Sequence, residues 1–203
     1  MAEQYNYTEV IAWLENKGKI QFGEKFQIYT TDHPTIQTLL IYFLKDDYMA
    51  KKSKLDLTKG ILLAGPIGCG KTTMMNLMKN ISKTEKKFFL KSCREISFEF
   101  IKDGYQIIDK YSTAKLGEAE QRNICFDDLG TENNLKYFGN QCNVMAEVLL
   151  SRYDLFVSKN VITHITTNLS ATEIEASYGN RVRSRLREML NLITYPAETP
   201  DKR

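Results

Sequence analysis

The sequence predicts an α/β fold in which a parallel sheet lies between two layers of helices. From residue 60 onward short apolar runs alternate with amphipathic segments, and polar motifs follow three of those runs. Strands that alternate with helices form parallel sheets that are covered on both faces. In such sheets ligands bind beyond the carboxyl ends of the strands, where these motifs lie. We therefore expect a three-layer, parallel-sheet core with a ligand at one edge.

Length and composition are those of an ordinary globular protein. The 203 residues are 42% hydrophobic and 26% charged, and the formal net charge is +3. That charge is too small to indicate nucleic-acid binding by itself, although it allows a local basic patch. Four widely spaced cysteines without a CxxC pair argue against a disulfide framework or a zinc site. No apolar run is long enough for a membrane span and the first residues lack a signal-peptide pattern, so a cytoplasmic location without a membrane partner is expected.

Two amphipathic helices are predicted before residue 57. The first covers Thr8 to Lys17 and ends at Gly18. The second starts at Asp32-His33-Pro34, where the acid would cap the helix and the proline suits its first turn. We assign residues 1–56 to an N-terminal helical extension that is a candidate partner-binding segment, and residues 57–203 to the core.

The core is predicted to contain five strands separated by helices. Short apolar runs bounded by polar residues are typical of buried strands, and longer periodic segments are typical of helices. In chain order the predicted elements are strand 61–64, a helix through 78, strand 88–90, mostly helical residues 96–111, strand 124–126, helix 143–157, strand 161–166, helical residues through 190, and a last strand near 192–194.

A phosphate loop follows the first predicted strand. Its glycines let the backbone approach an anion without clashes from Cβ atoms. Lys71 is expected to bring positive charge to the β- and γ-phosphates, and the Thr72 hydroxyl to ligate Mg2+. The helix that follows adds the positive end of its dipole. The residues expected to bind the nucleotide are Gly65, Pro66, Ile67, Gly68, Cys69, Gly70, Lys71, Thr72 and Thr73.

Two acidic residues, Asp127 and Asp128, close the third predicted strand. A carboxylate that ends a buried strand and faces a phosphate loop can hold Mg2+ through its water shell, and we assign this role to Asp127. Asp128 is expected to orient the attacking water, and Glu132 is a weaker candidate for the same task. An acidic pair that caps the next turn is the alternative, which the phosphate loop upstream makes less favoured.

A polar residue, Asn168, follows the fourth predicted strand. If that strand lies beside the first, Asn168 can donate to the γ-phosphate or to the attacking water. An Asx turn that caps the next helix is the alternative. His164, in the same strand, is expected to be packed rather than catalytic.

Four arginines occur at every second position near the end of the chain. On a helix this spacing spreads them around the circumference, so they cannot form one compact anion site. Most are expected to be solvated, while one of them can project towards the nucleotide of a neighbouring subunit. They are Arg181, Arg183, Arg185 and Arg187.

With these motifs in family order, the chain resembles AAA+ P-loop ATPases of the DnaC-type helicase loaders and the related IstB-like ATP-binding proteins of transposition. The resemblance covers about residues 60–192 and includes the phosphate loop GPIGCGKT, the Walker B ending FDDLG, the sensor-1 ending TTNLS and the segment YGNRVRSRLREM. On the family pattern the arginine finger matches Arg185, with Arg181 as second choice. The resemblance implies an AAA+ core, ATP with Mg2+, and a nucleotide held between the subunits of an oligomer.

The sequence departs from broader AAA+ patterns at two places. Asp128 stands where glutamate is commonest, which bears on the rate of hydrolysis more than on binding. The sequence reaches Arg203 soon after the fifth predicted strand, so we expect no C-terminal helical lid, and the loaders resemble it in this respect.

The resemblance also implies a site for single-stranded DNA. In the loaders the helical region between the second and third strands holds the DNA, and the matching stretch here is about residues 94–115. Phosphate contacts and base stacking are the roles expected there, with burial of the tyrosines in the core as the favoured alternative. The residues available for them are Lys102, Tyr105, Lys110 and Tyr111.

Three functions remain open at this point. The first is an ATPase that loads or remodels a replicative helicase in DNA replication and binds single-stranded DNA as an oligomer. The second is an IstB-like ATPase that regulates DNA transposition with a transposase as partner. The third and least favoured is a small-molecule kinase, because the missing lid leaves no evident cover to exclude water. Trp13 and nearby tyrosines are candidates for a partner contact or for packing against the core.

Overall fold

The computed structural model describes residues 5–83, 86–112, 123–132, 135–137 and 140–203. The strands are β1 (Gly60–Ala64), β2 (Phe88–Ser92), β3 (Asn123–Leu129), β4 (Leu135–Tyr137), β5 (Asn140–Cys142), β6 (Thr163–Thr167) and β7 (Leu190–Thr194). Five of them form a parallel sheet with the order β2-β3-β6-β1-β7, and β4 pairs with β5 in an antiparallel hairpin that the sequence did not predict.

Helices cover both faces of the parallel sheet, which confirms the predicted three-layer α/β fold. The α-helices are α1 (Tyr7–Phe22), α2 (His33–Phe43), α3 (Asp47–Lys52), α4 (Lys71–Ile81), α5 (Cys93–Asp103), α6 (Gln106–Ser112), α7 (Val144–Lys159) and α8 (Ala171–Met189), and a short 3-10 turn covers Thr30–Asp32. The helices α1, α2 and α4 share one apolar core, while α5, α6, α7 and α8 share the other.

The alternation of side chains along β3 shows how one strand serves both cores. Ile124 and Phe126 point into the core of α5 to α8, whereas Cys125 between them points into the core of α1, α2 and α4. Successive residues of a strand face opposite sides of the sheet, so a strand covered on both faces is apolar throughout. The apolar run that predicted this strand is therefore a direct consequence of the three-layer architecture.

The N-terminal helices belong to the same apolar core as the phosphate-loop helix. Leu14 of α1 and Leu39 of α2 are fully buried, and both lie in one cluster with Met75 of α4 and Leu63 of β1. Trp13 is 40% exposed, with the Lys17 ammonium 5.5 Å from its ring.

No helix in the described part of the chain is both long and apolar enough to cross a membrane.

Two predictions about the N-terminal helices are wrong. Gly18 does not end the first helix, because α1 continues to Phe22 and is followed by Gly23. Gly18 is buried, and a Cβ there would lie 2.1 Å from the Phe26 ring. The glycine therefore lets the Phe26 ring pack closely against α1 and does not end the helix. Asp32 precedes α2, but its side chain does not cap that helix and forms an ion pair with Lys202 instead.

His164 is buried in the middle of the sheet and is packed, as expected. Its Nδ1 accepts a hydrogen bond from the Ile61 N–H at 3.1 Å, and its ring contacts Tyr42, Phe43 and Phe88. Burial lowers the pKa of His164 to about 3, because desolvation disfavours the charged imidazolium and the nearby positive charges of Lys86 and Arg152 add to the effect.

This buried imidazole predicts a specific loss of stability in acid. The unfolded chain takes up a proton near pH 6.5, whereas the folded chain resists it down to about pH 3, so the free energy of unfolding falls as the pH falls through this window. The fall is expected to approach about 1.4 kcal/mol per pH unit. Denaturant titrations between pH 6 and 4.5 measure it. The amide oxygen of His164→Gln can still accept from Ile61. In this variant the slope of the free energy of unfolding against pH should be smaller, by the amount that corresponds to about one proton taken up on unfolding. An unchanged slope would contradict the prediction, and His33→Gln is the matched control for loss of an imidazole.

Candidate nucleotide site

Three side chains from neighbouring strands meet at the carboxyl edge of the sheet. Asp127 is near the end of β3, Thr166 is in β6, and Thr72 follows β1 by way of the phosphate loop. The Thr166 hydroxyl donates to Asp127 Oδ1 at 2.6 Å, and the Thr72 hydroxyl lies 2.9 Å from Asp127 Oδ2. The fold thus brings the two predicted metal-binding residues, Thr72 and Asp127, into direct contact.

The phosphate loop is held in shape by its own lysine. Lys71 is buried, and its ammonium donates to the carbonyls of Gly65 at 2.9 Å and Pro66 at 2.8 Å. Gly70 immediately precedes α4 with a φ of 96° and a ψ of 18°, a left-handed conformation that glycine adopts without strain. The first residues of α4, Lys71 to Thr73, line the cleft, and the N–H groups that begin a helix have no partner within it, so an anion in the cleft can accept from them.

A cleft of about 590 Å3 opens over this loop. It contains every predicted phosphate-loop residue from Ile67 to Thr73, together with Asp128 and Asn168. Gly65 and Pro66 do not line it, and their carbonyls accept hydrogen bonds from the Lys71 ammonium. The cleft therefore gathers most of the residues predicted from three separate motifs.

Asp127 has the electrostatics of a cation-binding carboxylate. It is only 6% exposed, and this burial raises its pKa above the usual value. The hydrogen bonds from Thr166 and Thr72 oppose the rise, while the negative charge of Asp128 adds to it. A hydroxyl oxygen and a carboxylate in contact are hard oxygen ligands of the kind that Mg2+ takes alongside water and phosphate oxygens. The residues present therefore fit a magnesium ion.

Asp128 is positioned by a local irregularity in β3. The register between β3 and β6 shifts between Phe126 and Leu129, and Asp128 has a φ of 60°. Its N–H donates to the Thr166 hydroxyl at 2.8 Å, and the Thr131 hydroxyl donates to its carbonyl at 2.8 Å. Strained residues of this kind occur preferentially at functional sites. The bulge exposes the Asp128 side chain to the cleft while Asp127 stays buried.

Glu132 does not share the cleft with Asp128. One of its carboxylate oxygens accepts a hydrogen bond from the Tyr178 hydroxyl, and the other accepts from the Gly130 N–H at 2.9 Å. Its carboxylate therefore joins the loop after β3 to α8. The expectation that Glu132 is a second candidate for orienting water is not supported by this placement.

Asn168 lies one residue beyond β6, and β6 lies beside β1, which is the arrangement its predicted role requires. The alternative role, as cap of the next helix, is filled by another residue. Ser170 caps α8, since its hydroxyl accepts from the Glu173 N–H while the Glu173 carboxylate accepts from the Ser170 N–H at 2.8 Å. Asn168 itself lines the cleft.

The four arginines all lie in the part of α8 that follows a kink at Gly179. The Arg185 guanidinium lies 4.3 Å from the Tyr153 ring and donates to the Tyr153 hydroxyl at 3.1 Å. Arg183 pairs with Glu175 at 2.7 Å, and Arg181 is exposed. None of the four lines the cleft of its own chain.

Two walls of the cleft were not anticipated from the sequence. One is the N-terminal segment that includes Phe22, Phe26 and Tyr29, and the other is the C-terminal segment that includes Lys202 and Arg203. Neither segment carries a motif or a spacing that points to a ligand. These two segments line the cleft because the tertiary fold places them at the carboxyl edge of the sheet.

The predicted DNA-binding stretch is only partly available on the surface. Lys110 pairs with Glu99 at 2.9 Å, and Tyr111 is 4% exposed with its hydroxyl donating to the same carboxylate. Tyr111 therefore belongs to the core, as the alternative expected, whereas the Lys110 side chain is held by this ion pair and remains 40% exposed. Lys102 and Tyr105 are exposed. Part of the stretch, residues 113–115, lies outside the described residues.

Comparison with known proteins identifies the family. The model of the ATPase family associated with various cellular activities (AAA) matches residues 61–190. A search of curated protein sequences found no match. The fold is similar to the crystal structure of the DnaC helicase loader, with a TM-score of 0.57 and 17% identity over 83% of this chain and 92% of that chain. It is also similar to a putative primosome component from Streptococcus pyogenes serotype M3, with a TM-score of 0.56 and 16% identity over 85% of this chain and 83% of that chain. Identities this low establish the shared fold alone.

The geometry of the phosphate loop predicts the effect of removing its lysine. In Lys71→Ala the loop loses both the ammonium that would face the phosphates and the hydrogen bonds to Gly65 and Pro66. The affinity for Mg-ATP, measured by calorimetric titration, should fall by about a hundredfold or more. Lys79→Ala, on the exposed side of the same helix, is the matched control and should bind as the parent does. Unchanged affinity in a folded Lys71→Ala variant would contradict the phosphate-loop assignment.

Proposed function

Because the chain belongs to the ATPase family associated with various cellular activities, we propose that it binds and hydrolyses ATP with Mg2+ and acts in DNA replication as a loader or remodeller of a replicative helicase. The observation that carries the ATPase proposal is the contact of Thr72 with Asp127 beneath a cleft lined by the phosphate loop. Support for the helicase role is the similarity of the fold to a helicase loader and to a primosome component.

Each residue of the cleft has a distinct task in this proposal. Lys71 and the first N–H groups of α4 bind the phosphates, while Thr72 and Asp127 would hold a magnesium ion, which would supply positive charge to neutralise the phosphate oxygens. Asp128 is exposed at the bulge of β3, where it can accept a hydrogen bond from the attacking water and orient it. Asn168 donates to the γ-phosphate or to that water from the end of the neighbouring strand. ATP is the substrate, and positioning with charge stabilisation provides most of the rate.

An arginine from a second subunit completes the site in this proposal. Arg185 contacts Tyr153 of its own chain and does not line its own cleft, which is compatible with service to a neighbouring nucleotide. Its stacked contact with the tyrosine ring holds the guanidinium before a partner binds. Arginine fingers supply several orders of magnitude in rate. Hydrolysis is therefore expected to depend on assembly.

Single-stranded DNA binds, in our proposal, to exposed residues of α5 and of the turn that follows it. We call Arg94, Phe98, Ile101 and Lys102 of α5, together with Tyr105 just beyond its end, the α5 surface. The three apolar members are 56%, 52% and 51% exposed for Phe98, Ile101 and Tyr105, and the Arg94 guanidinium lies 5.5 Å from the Phe98 ring. Exposed rings flanked by cations suit base stacking with phosphate contacts.

The start of α5 lies near the nucleotide site. β2 ends at Ser92, which is in register with Asp127 of β3, and α5 begins at the next residue. Arg94 is therefore close to the edge of the sheet that carries Asp127, while the rest of the α5 surface lies further along the helix. In our proposal, DNA bound along α5 influences hydrolysis through the junction between β2 and α5.

The proposed function is tested by ATP hydrolysis per protomer over a wide range of protein concentration, with and without single-stranded DNA. We expect the specific activity to climb with concentration and DNA to steepen the climb, because the finger comes from a neighbour. Arg185→Ala should bind ATP normally but lose about a hundredfold or more of the assembled rate. Asp128→Asn is the control that binds ATP without turnover, and Arg181→Ala tests the second choice of finger. A rate that is independent of both concentration and DNA would overturn the assembly and DNA proposals together.

Substitutions on the α5 surface test the DNA proposal separately. Phe98→Ala and Tyr105→Ala should each weaken binding of a labelled oligothymidine by about tenfold, since a stacked base contributes about 1–3 kcal/mol. Fluorescence anisotropy in the presence of ATP measures the affinity. Tyr111→Phe keeps the buried ring and is the matched control, with parental affinity expected. Unchanged binding by Phe98→Ala would place the DNA elsewhere, and a preference for duplex DNA would favour the transposition alternative.

A further inference from the structure

The segment that follows β7 lies across the phosphate loop and is anchored there by Lys202. The Lys202 N–H donates to the Gly68 carbonyl at 3.1 Å, and its ammonium donates to the Cys69 carbonyl at 2.9 Å. The same ammonium pairs with the buried carboxylate of Asp32 at 2.5 Å and lies 5.1 Å from the Tyr195 ring. These contacts join the segment both to the loop and to the start of α2.

The phosphate loop leaves room for this segment at one glycine. A Cβ on Gly68 would lie 2.1 Å from a carboxylate oxygen of Asp201, and the residue has a φ of 78°. Any larger side chain would therefore force the Asp201 carboxylate to move. The missing side chain at Gly68 serves the approach of the C-terminal segment as well as the approach of an anion.

The next residue, Arg203, lines the cleft together with Lys71, Thr72 and Asp128. Its guanidinium is paired with Asp201, with Nη2 2.6 Å from Oδ2 and Nε 3.0 Å from Oδ1. This ion pair raises the pKa of Arg203, and the negative charge of Asp128 adds to the effect. Arg203 is therefore close enough to interact electrostatically with Asp128, the residue proposed to orient the water.

The Asp201–Arg203 pair can exchange partners at low cost. The side chains are 50% and 70% exposed, respectively, and water screens an ion pair at such exposure, so the pair contributes little to stability. A phosphate is a stronger partner, because its oxygens match the planar fork of a guanidinium and carry more charge. Lys202 is held by the loop and by Asp32, so Arg203 stays within reach while it changes partners.

We propose that Arg203 binds the terminal phosphate of the nucleotide in its own subunit, by exchanging the Asp201 carboxylate for the γ-phosphate, and that Lys202 is the anchor that positions it. This inference rests on the proposed binding of ATP. It gives each subunit a cation in cis that distinguishes ATP from ADP, in addition to the arginine proposed to come from a neighbour. The C-terminal segment then becomes part of the nucleotide site.

The test compares the affinities of Arg203→Gln for Mg-ATP and Mg-ADP, measured by calorimetry at concentrations too low for assembly. We expect ATP binding to weaken by about tenfold, the effect of one charge-assisted hydrogen bond, with ADP binding unchanged. Arg203→Lys should recover part of the loss. Lys159→Gln, at the exposed end of α7, removes a cation far from the cleft and should match the parent for both nucleotides.

A second variant, Asp201→Asn, separates phosphate binding from a purely structural role. It removes the competing carboxylate, so ATP affinity should equal or exceed that of the parent. If Asp201→Asn loses ATP affinity as Arg203→Gln does, or if Arg203→Gln weakens ATP and ADP equally, the pair only braces the loop and the inference is wrong. If the parent binds both nucleotides and Arg203→Gln keeps their ratio, this inference alone fails. If the parent binds neither nucleotide, the proposed function fails with it.

Discussion

Asp127 accepts hydrogen bonds from Thr72 and Thr166, and the geometry of the site depends on this buried carboxylate. The two donors come from the phosphate-loop helix and from β6, so the carboxylate ties β3 to β6 and to the helix that follows β1. Burial opposes its charge, while each hydrogen bond to a charged group offsets about 1.5–3 kcal/mol of that cost. What remains is a carboxylate whose charge a bound cation would stabilise further. Thr72 and Asp127, the two residues predicted to bind the metal, are therefore hydrogen-bonded to each other.

Fixing Asp127 towards the interior has a consequence for its neighbour. The Thr166 hydroxyl that donates to Asp127 also accepts from the Asp128 N–H, so one side chain determines the position of both acids. β3 accommodates this by a shift of register and a left-handed conformation at Asp128. Regular alternation along a strand would already turn the two side chains to opposite faces. The bulge adds the displacement that brings Asp128 out of the sheet and into the cleft.

The cleft itself is assembled from distant parts of the chain. The ion pair between Asp32 and Lys202 joins residues that are 170 positions apart, and it closes the N-terminal segment and the C-terminal segment over the phosphate loop. Because α1 and α2 share a core with α4, the N-terminal segment is fixed relative to the loop by apolar burial. The phosphate end of the site is built from the sheet, and the remaining walls are built from segments outside it.

The amino-acid sequence by itself determined the three-layer α/β class, the phosphate loop, the acidic pair and the asparagine, because each depends on local spacing and on apolar periodicity. It also indicated that His164 is packed. Only the tertiary structure decided that Glu132 bonds to Tyr178, that Lys110 and Tyr111 are held by Glu99, and that Gly18 lies inside a helix against an aromatic ring. The tertiary structure also decided that the C-terminal segment forms a wall of the cleft. The physical reason is that such partners are brought together by the packing of whole elements, and the pattern of residues along one element does not specify what lies against it.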